Sequence, residues 1–204
     1  MSKIAVFGAG GRAGRAVVAE ALRRGHQVVP VVRNPADHED LAGVAGDVTS
    51  VADVERIAGE ADAVVAAVYD PGSSDFFRAA AGALASGVNG RRLVWVGLAS
   101  ILPMASGELL MDSPGYPQAY RGFSLAHASA VEVFNSSDLD WVSIAPSGDF
   151  DHENPARVGS YRLTPADAGL RISYADLAIA VLDEIDDPRH HRTLLGVSSG
   201  TMTG

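Results

Sequence analysis

Short apolar runs alternate with longer segments of helical periodicity along most of the chain. Each run is rich in Val, Ile or Ala and is bounded by residues that favour turns, which is the pattern of buried parallel strands. The predicted strands span residues 3–7, 27–32, 43–46, 63–67, 92–96 and 140–145.

The segments between these strands predict helices. In the first of them, residues 12–24, the apolar residues Val17, Ala21 and Leu22 share one face, and Gly25 follows as a C-terminal glycine. The other predicted helices span residues 51–59, 74–86, 117–135 and 174–185, with Asp53, Ser74 and Ser173 as the expected caps.

This alternation predicts an α/β fold with a doubly wound parallel sheet, arranged as a three-layer α/β/α sandwich. The 204 residues have the length of one such domain, so residues 1–204 are expected to form a single domain. Two long irregular segments, residues 99–116 and 146–170, follow late strands. Ligands bind beyond the carboxyl ends of the strands in open α/β sheets, so these loops and a small C-terminal portion should shape the substrate pocket.

Composition and charge narrow the classes of function. The chain has no Cys, which excludes disulfides, thiolate nucleophiles and zinc–thiolate sites. The absence of Cys also gives no sign of an oxidising compartment, so we expect a cytoplasmic protein. No apolar run approaches the roughly 18 residues of a membrane span, so no membrane partner is expected. A net charge of -9 argues against nucleic acid as a partner.

The charge is unevenly distributed along the chain. Up to Arg33 there are six basic residues and one acidic residue, Glu20, so this segment carries +5 and the remainder -14. A local excess of positive charge favours a small phosphorylated ligand. Alternatively, some of these residues, Arg23 and Arg24 above all, solvate a helix face.

The glycine-rich segment after the first predicted strand is the strongest functional signal. Glycines there permit a tight turn and let the backbone approach a pyrophosphate, whose charge the amides and the positive end of the following helix would meet. This pattern is typical of the Rossmann-like dinucleotide-binding fold, although a structural glycine turn is the alternative. The predicted cofactor-binding residues of this segment are Gly8, Gly10, Gly11, Arg12, Ala13 and Gly14.

Arg33 ends the second predicted strand, where NAD-binding chains usually carry an acidic residue that bonds the ribose 2′-hydroxyl. An arginine there favours the 2′-phosphate, so NADP(H) is predicted in preference to NAD(H). Arg12 would supply a second contact to the same phosphate, because guanidinium groups match phosphate oxygens. The alternative for Arg33 is a solvent-exposed strand end.

Several segments resemble one enzyme family. Gly8, Gly11 and Gly14 have the spacing of extended and atypical short-chain dehydrogenases, and residues 31–35 and 46–48 resemble the NmrA-like, NAD(P)H-binding members. Residues 139–141, 143–146, 159–163 and 171–176 resemble the bacterial NAD(P)H-flavin reductases. The resemblance covers nearly the whole chain, but the loop at residues 164–170 is shorter than is usual in the family, so the pocket rim is expected to differ.

The resemblance implies further cofactor contacts. Asp47 and Val48 would flank the adenine, whereas Ala66, Ala67 and Val68 would line the path of the ribose and nicotinamide. Asp47 could equally cap the turn that follows it. The predicted cofactor set is completed by Asn34, Ser100 and Pro146.

The classical tyrosine–lysine pair of short-chain dehydrogenases is missing. Tyr120 is followed four residues later by Ser124, and Lys3 is the only lysine, so ketone reduction through that pair is not expected. Flavin reduction asks mainly for stacked rings. Ser100 takes the place of the family's active-site serine, or alternatively satisfies a strand end. His127 would face the pocket as a proton donor, or alternatively belongs to the helix surface or core.

Aromatic residues in the ligand-side loops would form the walls of a pocket for a flat ring. These are Tyr116, Tyr120 and Phe150. No metal is predicted, because the acidic cluster at residues 149–153 and the pair at residues 190–191 lack the spacing of a metal motif.

Together these features predict an NAD(P)H-dependent oxidoreductase that passes hydride to a small-molecule acceptor. The acceptor would be a flavin, with FMN or FAD as substrate, or a quinone or similar planar molecule. The alternatives are a non-catalytic NADP(H)-binding sensor of NmrA-like type and, third, a nucleotide-sugar epimerase or dehydratase. The sequence leaves open whether the protein is a monomer or a homodimer.

Overall fold

A central sheet with helices on both faces organises the chain. The computed structural model describes residues 1–70 and 72–200. The helices are α1 (Arg12–Arg23), α2 (Val51–Ala58), α3 (Phe76–Gly87), α4 (Arg121–Ser136) and α5 (Tyr174–Asp186). The strands are β1 (Lys3–Phe7), β2 (Gln27–Val32), β3 (Val44–Ala45), β4 (Ala63–Ala66), β5 (Arg92–Val96), β6 (Trp141–Pro146), β7 (Asp149–Phe150), β8 (Tyr161–Leu163), β9 (Arg171–Ile172) and β10 (Thr193–Ser199).

The strand order confirms the predicted doubly wound fold. In the main sheet it runs β3-β2-β1-β4-β5-β6-β10-β8, with every pairing parallel except the antiparallel contact of β8 with β10. The chain reverses its direction of travel across the sheet between β1 and β4, which creates a crevice at their carboxyl ends. β10 is not among the predicted strands. The short strands β7 and β9 pair in a separate ribbon.

Each face of the sheet is covered by its own helices. Helices α1 and α5 pack together on one face, where Val17 and Leu177 belong to the same buried apolar cluster. Helices α2, α3 and α4 cover the other face around a cluster that includes Phe77, Trp95 and Phe134. Both faces of the central strands are therefore buried, which explains why these strands consist of continuous apolar runs.

The predicted helix caps are only partly correct. Ser173 accepts a hydrogen bond from the Asp176 amide at 3.0 Å and caps α5 as predicted. Ser50, not Asp53, caps α2, because the Ser50 hydroxyl accepts from the Asp53 amide. The predicted cap Ser74 is also wrong, since Asp75 is the residue that precedes the first turn of α3.

Most of the basic residues of the first segment pair with carboxylates of the same protein. Arg15 pairs with Asp40, and Arg23 and Arg24 both pair with Glu20. Hydrogen bonds from these arginines, first from Arg23, outweigh burial and lower the pKa of Glu20 to about 2. Arg24 also bonds the acidic residues Asp183 and Asp186 near the end of α5. The expectation that Arg24 only solvates a helix face is wrong, because it links α1 to α5.

A buried ionic network ties three elements together at the amino end of the sheet. Arg92, at the start of β5, donates to Asp140 before β6 at 2.9 Å and to Glu184 of α5 at 2.7 Å. The side chains of Arg92 and Glu184 are each 7% exposed. His190 and His191 bond Glu184 and Asp140, respectively, and so belong to this network.

Replacement of Arg92 by Met should destabilise the fold strongly, because it leaves the Glu184 carboxylate buried without its main cationic partner. We expect a loss of about 3 kcal/mol in the free energy of unfolding, measured by urea denaturation. The matched control is Arg78→Met, which breaks the exposed pair with Glu132 and should cost less than about 1 kcal/mol. Equal losses for the two variants would contradict the importance assigned to the buried network.

Candidate functional site

The glycine-rich segment forms a tight turn between β1 and α1. Gly8 has a φ of +77°, and a Cβ there would collide with the carbonyl oxygen of Ala67 beyond β4. A Cβ on Gly14 would collide with the carbonyl oxygen of Gly8. These two glycines therefore permit the close packing of the helix start on the ends of β1 and β4.

Gly11 differs from its neighbours because it faces open space. Its nearest non-local atom to a Cβ would be the Gly8 carbonyl oxygen at 3.4 Å, which is ordinary contact. It is the N-cap residue of α1, whose first turn carries no acidic side chain. The backbone here fits a diphosphate: the helix presents its positive end, and a ligand can approach the chain at Gly11 without meeting a side chain.

A groove of about 350 Å³ extends from this turn over the ends of β1 and β2. Eight residues predicted to bind the cofactor line it, namely Gly8, Gly10, Gly11, Arg33, Asp47, Val48, Ala67 and Val68. His38, Tyr69 and Phe76 line it as well and were missed by sequence reasoning. His38 lies against Gly10, where a Cβ would collide with the imidazole. The carboxylate of Asp47 accepts from Thr49, so this residue also caps its turn as the alternative stated.

Arg33 is well placed for an additional phosphate. Its side chain is 75% exposed at the edge of the groove, and its Nη1 atom lies 3.9 Å from Asp70 Oδ2. Arg12 points elsewhere: its guanidinium lies 5.4 Å from the centroid of the Tyr174 ring, and its Nη1 is 3.4 Å from His152 Nδ1. The structure does not bring the two arginines together, because the first residue of α1 faces the start of α5.

The remaining predicted cofactor residues support the groove rather than line it. The side chain of Asn34 accepts a hydrogen bond from the Ala36 amide and so caps the short helix that follows β2. Ala13 packs against the core between α1 and α5. Ala66 and Pro146 are buried inside β4 and β6.

A second, larger cavity of about 660 Å³ lies beyond β5. Ser100, Tyr116 and Tyr120 line it as predicted, together with Phe123 of α4. Tyr69 lines both this cavity and the nucleotide groove, so the two spaces adjoin at that side chain. The other lining residues missed from the sequence include Leu98, Leu110, Gly148, Asp149 and Arg171.

Two of the residues predicted for the active site, Phe150 and His127, do not line the larger cavity. Phe150 was expected in the pocket wall, but it stacks on Tyr174 with a centroid distance of 3.8 Å and an interplanar angle of 16°. His127 was expected to face the pocket, but its ring is buried 3.9 Å from that of Phe77 and also contacts Trp95 and Phe123. Burial lowers the pKa of His127 to about 4, so it is neutral near pH 7 and part of the aromatic core.

Three hydroxyl groups meet at the wall of the larger cavity. Ser124, which is fully buried, lies 2.8 Å from Ser100 Oγ and 2.8 Å from the hydroxyl of Tyr116. Its hydroxyl also donates to the Tyr120 carbonyl at 3.1 Å. Ser124 stands where the classical short-chain dehydrogenases have lysine, and its role was not foreseen from the sequence. The loop before α4 brings Tyr116 to it.

The described part of the chain contains neither a metal-binding cluster nor a membrane-spanning helix. Residues 1–70 and 72–200 contain no group of three or more His, Asp or Glu side chains arranged to hold a metal ion. Likewise, no helix formed by these residues is long and apolar enough to cross a membrane.

Residues 8–188 match a protein family described as NAD(P)H-binding. The chain belongs to this family. It is 34% identical over 205 residues to the protein YwnB of Bacillus subtilis, and the match covers 92% of this chain and 94% of YwnB. The fit of the glycine turn to a diphosphate agrees with this assignment.

Solved structures support the fold. A Burkholderia pseudomallei protein provisionally described as exported is 33% identical, with a TM-score of 0.83 over 98% of this chain and all of that one. A Streptococcus pneumoniae protein provisionally described as an NADH-flavin reductase is 24% identical, with a TM-score of 0.80 over 98% of this chain and all of that one. At this lower identity the likeness shows the fold alone.

Replacement of Gly11 and of Gly14 by Val should have different effects. Gly11→Val should fold normally but lose NAD(P)H binding, because its side chain would occupy the space through which the diphosphate approaches. Gly14→Val should lower the melting temperature itself, since its Cβ meets the Gly8 carbonyl. Thermal unfolding and titration of NADPH fluorescence measure the two effects. Unchanged NADPH affinity in folded Gly11→Val would show that the turn is not the binding site.

Proposed function

We propose that the protein is an NADPH-preferring oxidoreductase that delivers hydride to a flavin, a quinone or a similar planar acceptor. The observation that carries this proposal is the large cavity with aromatic walls that adjoins the nucleotide groove at Tyr69. A cofactor extended along the groove would present its nicotinamide near this junction, and an acceptor in the cavity would lie next to it.

The groove residues would divide the work of binding the cofactor. The amides at the start of α1 would hold the diphosphate, since those of Gly8, Ala9 and Gly11 already bond carbonyl oxygens of the protein. Asp47 and Val48 would border the adenine. Arg33 would bind the 2′-phosphate, because its guanidinium is exposed and has only a distant acidic neighbour, Asp70. Hydride is the chemistry that the bound nicotinamide supplies.

The cavity residues would hold the acceptor and keep water from it. Tyr116, Tyr120 and Phe123 offer flat apolar surfaces for a ring system, while the Ser100 hydroxyl lies at the cavity wall. A cytoplasmic location is part of the same proposal, because NADPH is an intracellular reductant.

A binding protein without turnover is the second candidate. The burial of His127 favours it, since that side chain lies in the aromatic core and is removed as a proton donor. Such a sensor would bind NADPH through the same groove, so only turnover separates the two functions.

Replacement of Arg33 by Ala should weaken NADPH binding far more than NADH binding. A charge-assisted hydrogen bond contributes about 1.5–3 kcal/mol, which corresponds to a roughly 10- to 150-fold loss for NADPH. Dissociation constants for both nucleotides are measured by fluorescence titration, with Arg78→Ala on the exposed surface of α3 as the matched control. An equal loss for NADPH and NADH would contradict the role in 2′-phosphate binding.

Purified protein should oxidise NADPH only when an acceptor is present. The decrease of absorbance at the nicotinamide band is followed with FMN, FAD or menadione, and NADH replaces NADPH in parallel reactions. We expect acceptor-dependent turnover that is faster with NADPH. Tight NADPH binding without turnover on any acceptor would favour the sensor instead.

A further inference from the structure

A chain of three hydroxyl groups, from Tyr116, Ser124 and Ser100, lies at the wall of the larger cavity. Tyr116 and Ser100 both line the cavity, whereas Ser124 is fully buried behind them on α4. We propose that Tyr116 is a catalytic proton donor to the acceptor and that Ser124 is its positioning residue. This inference rests on the proposed function and specifies which acceptors the site suits.

The direction of each hydrogen bond follows from what Ser124 can offer. A serine hydroxyl has one hydrogen to donate and two lone pairs to accept with. Ser124 donates to the Tyr120 carbonyl and accepts from Ser100. The contact with Tyr116 must then use the second lone pair, so the phenol donates to Ser124.

Two hydroxyl rotations release the Tyr116 proton toward the cavity, because the phenol hydrogen must itself turn away from Ser124. If the Ser124 hydrogen turns from the Tyr120 carbonyl to the Tyr116 oxygen, the phenol is free to donate into the cavity. Ser124 would then stabilise the phenolate that remains after proton transfer, and Ser100 would continue to donate to Ser124. The chain thus provides at a cavity wall what the absent lysine cannot.

The proton balance selects the acceptor class. Hydride from the nicotinamide adds two electrons and one hydrogen to the acceptor, and a new hydrogen–oxygen bond forms as the Tyr116 O–H bond breaks. Water restores the phenol after product leaves. Donation matters most where reduction places a localised negative charge on oxygen, as in a quinone. A reduced flavin spreads its charge over a ring system, so it depends less on a donor.

The test compares two acceptors in Tyr116→Phe and Ser124→Ala. Each variant removes one hydroxyl and keeps nearly all of the side-chain volume. Tyr161→Phe and Ser129→Ala are the matched controls, because their hydroxyls bond Asp183 and the Ala126 carbonyl outside the cavity. Thermal unfolding and the NADPH dissociation constant are measured for all variants to establish intact folding and cofactor binding.

We expect kcat with menadione to fall about 100-fold in Tyr116→Phe, within the range for loss of a general acid. The kcat of Ser124→Ala with menadione should also fall. In both variants the loss of kcat with FMN should be much smaller, and the control variants should have the kcat of the parent protein. Tyr116→Phe should also bind menadione more weakly in the absence of cofactor, as measured by protein fluorescence. The solvent deuterium isotope effect on menadione reduction should be present in the parent protein and change in Tyr116→Phe.

Two results would overturn the proposal in distinguishable ways. If the parent protein reduces the acceptors but Tyr116→Phe keeps its rate with menadione, or loses rate equally with menadione and FMN, Tyr116 is not the proton donor. The proposed oxidoreductase function would be unaffected by that result. If the parent protein binds NADPH but reduces none of the acceptors, the proposed function fails and the proton donor with it.

Discussion

The close approach of α1 to the ends of β1 and β4 is the constraint on which the site depends. Gly8 and Gly14 touch backbone with no room for a side chain, so the first turn of α1 lies directly above the crevice of the sheet. The same packing exposes Gly11 and directs the positive end of the helix into the groove. The backbone contacts of Gly8 and Gly14 therefore stabilise the β1–α1 turn and also position it for cofactor binding.

The two ends of the sheet have separate tasks. At the amino ends, Arg92 and Glu184 hold β5 and α5 together in a buried ionic network. At the carboxyl ends, loops after β4 and β5 and the start of α4 enclose the groove and the cavity. This separation lets the stabilising charges remain fully paired while Arg33 stays exposed. Positive charge that appears concentrated in the sequence is thus mostly structural, with one guanidinium left at the groove.

The hydroxyl groups at the wall of the larger cavity meet at Ser124, and no short sequence motif contains all three of them. Ser124 accepts hydrogen bonds from Ser100, in the turn after β5, and from Tyr116, in the loop before α4. Its own hydroxyl donates to the Tyr120 carbonyl at the start of the same helix. The nearby imidazole of His127 packs into the aromatic core instead, and its burial against Phe77 and Trp95 favours the neutral form. One helix thereby supplies both a packing histidine and a cavity-side hydroxyl.

The sequence by itself determined the order of the five helices and of strands β1 to β6, the glycine turn and the position of Arg33, because each depends on local periodicity or on neighbouring backbone. β2 and β5 have the bounds that their apolar runs predict. It did not determine which side chains meet across elements. Phe150 and Arg12 face Tyr174, and His38 and Tyr69 enter the groove, through contacts between distant segments. Only the tertiary structure decided these, since the direction of a side chain is set by the packing of the element that carries it.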